Sequence, residues 1–177
     1  MTVCIVIIFL VFLAEGLDKV YELEAGSNSW REMPAMLTAR RDHACLFIQL
    51  EKSSGILVTG GLGREDEVLA SAEFYDLKTE QWQLVSGLKL ARTEHTMSLV
   101  AGLPTVIGGV NGDQFISSIE QFDKSSNSWN IPLERDWRIV NTALTLPRYE
   151  HTVATIPASQ VSTRTKKIKK YISILFF

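Results

Sequence analysis

The feature that most constrains this chain is a repeat. Arg40-Arg41-Asp42-His43 leads into an apolar run to Leu50, then Ile56-Leu57-Val58-Thr59-Gly60-Gly61, then Ala72-Glu73-Phe74-Tyr75-Asp76, then Trp82. The order returns as Arg92-Thr93-Glu94-His95, Thr105-Val106-Ile107-Gly108-Gly109, Ile119-Glu120-Gln121-Phe122-Asp123 and Trp129. A third opening, Arg148-Tyr149-Glu150-His151, follows these two units, and an earlier ending, Val20-Tyr21-Glu22-Leu23-Glu24 with Trp30, precedes them. His43, His95 and His151 are 52 and 56 residues apart, and the glycine pairs at 60 and 108 are 48 apart. A fixed period of about 50 residues means that each unit is one supersecondary element that is stable only when stacked on its neighbours.

Each unit holds four short apolar or alternating segments bounded by turn residues, the pattern of a small antiparallel sheet. In the first complete unit they cover residues 43–50, 55–59, 71–77 and 81–85. The first two are continuously apolar. That predicts strands buried on both faces, with Cys45 as a small buried hydrophobe. A single sheet cannot bury both faces, whereas sheets stacked around an axis can. The glycine pairs allow positive φ and close backbone approach. The tryptophans supply area for packing between sheets, and Asp76 and Asp123 close their strands.

The glycine pairs, the Tyr75-Asp76 and Phe122-Asp123 pairs and the tryptophan after each resemble the kelch family over roughly residues 20–157. The resemblance implies an all-β fold, an incomplete kelch-type β-propeller of four-stranded antiparallel blades, two full and two partial. Residues 1–16 are then an apolar N-terminal segment, 17–157 the kelch repeats, and 158–177 a basic and apolar tail expected to be irregular. Propellers typically have about 4–8 blades. The chain therefore supplies part of a ring and is expected to be a fragment or isoform of a longer kelch protein. Its open blade edges invite self-association.

Two stretches stay open to alternatives. Residues 3–14 are an apolar run too short for a membrane span. They resemble a signal-peptide core followed by Ala14-Glu15-Gly16, but no Lys or Arg precedes them. Otherwise the run stands in for the first two strands of the first partial blade or is a non-native start. In the second full unit the blade tryptophan is either Trp129 or Trp137. The spacing from Trp82 to Arg92 is matched more closely by Trp137 to Arg148, which favours Trp137 with an enlarged loop over residues 127–135. In the tail, Arg164, Lys166, Lys167, Lys169 and Lys170 precede seven apolar-rich residues. Such a tail can touch an anionic membrane but cannot span one; the favoured reading is a terminus that departs from the repeats and carries no function of its own.

Composition and motifs narrow the chemistry. The formal net charge of -2 gives no sign of a general nucleic-acid binder. Cys4 and Cys45 have neither metal-ligand spacing nor a disulfide framework. Gly60-Gly61-Leu62-Gly63 precedes no helix, so it is not a phosphate loop, and no nucleophile motif is present. The three histidines share one repeat position. In a ring they fall on different blades, which assigns them to packing or hydrogen bonding and not to zinc. The arginine two residues before each Asp or Glu is expected to pair with it locally at the surface, worth about 0–1 kcal/mol. Kelch-type oxidases use a copper set of Tyr, His and Cys that this sequence does not assemble. No cofactor, metal or catalytic residue is expected, and the chain is not expected to be an enzyme.

What remains is recognition by loops on a rigid scaffold. In kelch relatives, partners bind the face made by the loops between second and third strands and by the connections into each first strand. Carried onto this sequence, the candidates are Arg64, Glu65, Asp66, Asn111, Asp113, Gln114 and Phe115 from the loops, and Arg41, Asp42, Glu94, Tyr149 and Glu150 from the connections. Phe115 either anchors a partner or folds back onto its blade. The repeats look most like those of BTB-kelch proteins, which implies substrate recognition for cullin-based ubiquitin ligases in the cytoplasm, here without the BTB region. The alternatives are an actin-binding cytoskeletal kelch protein and, if residues 1–16 are a signal peptide, a secreted propeller. The expected partner is a protein, either a ligase substrate or actin.

Overall fold

The computed structural model describes residues 6–8, 18–23, 29–50, 53–122, 137–143, 152–157 and 171–176. Every regular element among them is a strand. The first sheet is β1 (Val6–Ile8), β2 (Val20–Leu23) and β3 (Trp30–Met33) in that order. The second is β4 (Ala44–Gln49), β5 (Ser54–Thr59), β6 (Ala72–Asp76) and β7 (Gln81–Val85), also in chain order. The third contains β8 (Thr96–Val100), β9 (Leu103–Ile107), β12 (Ser118–Phe122) and β13 (Trp137–Ala143). The short hairpin β10 (Val110–Asn111) and β11 (Gln114–Phe115) stands between β9 and β12. β14 (Thr152–Pro157) pairs with β15 (Tyr171–Phe176). All pairings are antiparallel, as the four-strand pattern requires.

The faces of the sheets explain their stacking. Ile56, Val58, Tyr75 and Trp82 of the second sheet meet Val20, Met33 and Met36 from the first. Its opposite face puts Ile48, Leu57 and Phe74 against Val106 and Trp137 of the third. Each blade tryptophan thus faces the preceding blade. Its ring also packs on the aromatic residue opposite it in the ladder, Tyr75–Trp82 at 5.2 Å and Phe122–Trp137 at 5.5 Å between centroids. Such ring pairs add about 0.5–1.5 kcal/mol beyond their buried area. The indole N–H donates across the interface, from Trp82 to Pro34 O at 2.8 Å and from Trp137 to Ser86 O at 3.1 Å. The matching contacts make Trp137 the blade tryptophan of the third sheet. Trp129 and the enlarged loop over 127–135 lie outside the described residues.

Three expectations meet a different arrangement. β5 is buried on both faces, but β4 alternates: Ala44 and Ile48 are buried while Cys45 and Phe47 are exposed. Cys45 is opposite Val58 and Phe47 opposite Ile56, so both share the face that looks toward the first sheet. Among the described residues that sheet has three strands, β1-β2-β3, and none in the place that β4 holds in the second sheet. In place of a lone first strand and an irregular tail, β14 lies beside β8 and pairs with β15. Val6–Ile8 takes a strand position, the place given to it by the strand-replacement reading; most of residues 1–17 lie outside the described residues, as do Cys4, Asp123 and His151. No helix among the described residues is long and apolar enough to cross a membrane.

Trp137→Ala should therefore lower stability by about 3–5 kcal/mol through cavity formation. Leu84→Ala, at an exposed position of β7, should change it by no more than about 0.5 kcal/mol. Urea-unfolding midpoints of the two variants check the contrast.

Candidate functional site

The pairing registers bring one end of every blade to a common face. The starts of β4 and β6 and the ends of β5 and β7 coincide. Residues 34–43, 60–71, 86–95 and 108–117 therefore share this loop face. Its foundation is a buried ion pair that occurs twice. The Arg40 guanidinium donates to Gly60 O at 2.7 Å, to Ser71 O and Oγ, and to Glu73 Oε1 at 2.7 Å. Glu73 also accepts from the backbone N–H of Leu37 at 2.7 Å and Thr38 at 2.9 Å. In the next blade Arg92 donates to Gly108 O, to Ser118 O and Oγ, and to Glu120 Oε1 at 2.6 Å. Glu120 accepts from Lys89 N and Leu90 N. All four charged side chains are fully buried. Burial pulls the Arg92 pKa down and Glu120 pulls it back up; a guanidinium stays charged under that balance. The surface pairing expected between Arg40 and Asp42, or Arg92 and Glu94, is thus replaced by an internal pair reaching the third strand.

The glycine pair sits against this network. A Cβ on Gly61 (φ +95) would lie 2.5 Å from Arg41 O and 2.9 Å from His43 Cβ. The equivalent Gly109 (φ +95) would meet Thr93 O and His95 Cβ in the same way. Both the backbone angle and the space therefore require glycine. His95 is buried, and its Nε2 lies 3.0 Å from Thr59 Oγ1 of the preceding blade. His43 sits at the same repeat position. Burial first, and then the Arg40 charge, lower its pKa to about 4. Both histidines belong to the packing between and within blades.

On this base the predicted surface residues are laid out as follows. Arg41 exchanges backbone hydrogen bonds with Leu62 at 2.9 and 2.8 Å, and its guanidinium holds Asp42 at 3.0 Å and also Asp66. Asp42 (φ 53), Asp66 (φ 59) and Glu94 (φ 55) are non-glycine residues with positive φ, a conformation that persists only where the surroundings impose it. The Asp42 carbonyl accepts from Glu94 N at 2.9 Å and from Thr93 Oγ1 at 3.2 Å, joining the starts of neighbouring blades. Arg64 reaches Asp18 at 3.3 Å, and Glu65 N donates to Glu67 Oε2 at 2.9 Å. Asn111, Asp113, Gln114 and Phe115 form the exposed β10–β11 hairpin around Gly112. Phe115 is 58% exposed and does not fold back to cap its blade. Tyr149 and Glu150 lie outside the described residues. Asp18, Glu67, Leu37 and Leu90 also belong to this face, the last two exposed. The sequence signalled the two leucines only through their place in the connection that feeds each buried pair.

Comparison with known proteins bears on the same residues. A kelch-motif family model matches residues 106–131. Kelch-like protein 34 of Homo sapiens is 33% identical over 95 residues, covering 53% of this chain and 14% of that protein. The chain carries kelch repeats. Kelch-like protein 7 of Rattus norvegicus is 32% identical over 111 residues (63% of this chain, 18% of the relative). An F-box/kelch-repeat protein of Arabidopsis thaliana is 30% identical over 113 residues (63% and 29%). The chain spans under a third of the length of these kelch relatives. The solved structure of YjhT matches 77% of this chain and 48% of its own with a TM-score of 0.61 at 18% identity, a likeness of fold. The repeats form part of a kelch propeller.

Arg92→Met should destabilise by about 3–5 kcal/mol, because it leaves Glu120 buried without its cation. Adding Glu120→Gln, which removes the unpaired charge and whose single amide oxygen keeps one of the two bonds from Lys89 N and Leu90 N, should recover part of that loss in denaturant melts. A second outcome concerns pH. The unfolded chain binds a proton at His43 near 6.5 that the folded chain does not bind until about 4. Stability should fall as pH drops through that window, by up to about 1.4 kcal/mol per pH unit from this group. His43→Gln should remove that increment, read as the difference in pH slope between the two proteins.

Proposed function

We propose that this chain is the substrate-recognition part of a cytoplasmic ubiquitin-ligase adaptor, and that it holds its protein substrate on the loop face. The observation that carries this reading is the repeated Arg–Glu anchor. It fixes the connections and hairpins of two blades in one geometry while exposing Arg64, Glu65, Asp66 and Phe115 on them. Loops held rigid before binding lose little entropy on association, and arginine and aromatic side chains are the commonest energetic anchors of interfaces. The resemblance to kelch-like and F-box/kelch-repeat proteins supports a binding role over catalysis. An exposed free thiol at Cys45 is compatible with a reducing compartment.

The test is affinity purification of the full-length gene product that contains residues 20–157. Recovery of cullin together with a protein substrate is the expected result. The triple variant Arg64→Ala, Phe115→Ala, Tyr149→Ala should keep its thermal melt and its cullin but lose the substrate. Substrate recovery by the triple variant would overturn the assignment to the loop face. Recovery of actin in place of cullin would overturn the ligase role.

A further inference from the structure

The loop face has a sign. With the buried Arg40–Glu73 and Arg92–Glu120 pairs set aside, its carboxylates are Asp18 ahead of the first connection, Asp42 and Glu94 at the strand starts, Glu65, Asp66 and Glu67 in one loop and Asp113 in the next. Against these seven stand Arg41, Arg64 and Lys89. Both arginines are already engaged: Arg41 with Asp42 and Asp66, and Arg64 with Asp18. An acidic partner would have to break those pairs and meet the remaining carboxylates. A basic partner meets the carboxylates with the arginine pairs intact.

The face also has an apolar side. Phe115 is 58% exposed in the β10–β11 hairpin, opposite Val110, and Leu90 is 40% exposed on the connection that feeds the same blade. Single exposed apolar residues are ordinary. These two share one loop end, joined by the ladder from Thr93 through Val110 to Phe115 and by the Leu90 N–H on Glu120. Both loops are pinned by their own backbone bonds, Gly63 N to Glu67 O at 2.9 Å in the acidic one and Ile116 N to Gly109 O at 2.8 Å behind the aromatic one.

We infer that the segment received by this face is a basic peptide carrying a large apolar side chain, its cations on Glu65 and Glu67 and its apolar group on Phe115 and Leu90. The inference rests on the loop-face reading above and adds the chemistry of the partner. It is tested with the full chain and three fluorescent Gly/Ser-based peptides, measured by anisotropy. One places Lys and Arg beside Leu and Phe, the second replaces the cations by Glu, and the third replaces the apolar residues by Ala. The first should bind tightest and weaken as salt is raised. Glu65→Lys with Glu67→Lys should reduce its affinity by about tenfold or more, since like charges then face each other. Phe115→Ala should reduce its affinity toward that of the third peptide. These positions are exposed, and unchanged thermal melts confirm that the variants are folded. Equal or tighter binding of the acidic peptide overturns the inference, as does indifference of the basic one to both variants. Substrate loss in the triple variant described above, together with either of those results, leaves the docking role standing and removes only the partner's chemistry. Substrate retention in that variant removes both.

Discussion

The structure depends on one buried interaction made twice, the pairing of Arg40 with Glu73 and of Arg92 with Glu120. Two charges taken out of water are costly unless every donor and acceptor around them is used well. Here the two terminal nitrogens of each guanidinium bind the carbonyl that follows the second strand, the backbone and side chain of the serine at the entry to the third, and the carboxylate within the third, while Arg40 Nε makes no such bond. The carboxylate in turn takes two backbone N–H groups from the connection arriving from the previous blade. Three chain segments that are far apart in sequence are thereby held at one point. An apolar replacement could fill the volume but would not satisfy those backbone groups, which is a physical reason for a charge pair at this place.

Much of the architecture was legible in the residues. The spacing of the glycine pairs and tryptophans specified antiparallel four-stranded units, and the distance to Arg148 favoured Trp137 over Trp129, as the indole bond to Ser86 O bears out. The buried pair was not legible, for a definite reason. Glu73 lies between Ala72 and Phe74, and the alternation of a strand reads such a residue as facing solvent. Its partner is 33 positions away, and only the repetition of both residues hinted at a link. The exposure of Cys45 and Phe47 was hidden for the opposite reason. Their own segment is uniformly apolar, and whether such a residue is covered depends on the neighbouring blade.

The candidate site was legible as a location more than as a mechanism. Loop composition alone placed Arg64, Glu65, Asp66 and Phe115 on the surface. It could not show that Arg41 and Arg64 spend their charge on Asp66 and Asp18, so that neither arginine is left to offset Glu65 and Glu67. Hydrogen-bond geometry supplies that distinction, and it determines the sign of the surface a partner meets.

The position of Trp137 has a wider consequence. Residues 77–80 separate β6 from β7, whereas residues 123–136 separate β12 from β13, yet both blade tryptophans reach the same carbonyl of the preceding connection. These two interfaces therefore tolerate connections of different length on the side opposite the loop face, with an indole returning to the equivalent carbonyl in each. Sequence drift in length can accumulate at the outer turns of the blades while the inner geometry and the opposing surface stay unchanged, which lets such a protein vary one side without retuning the other.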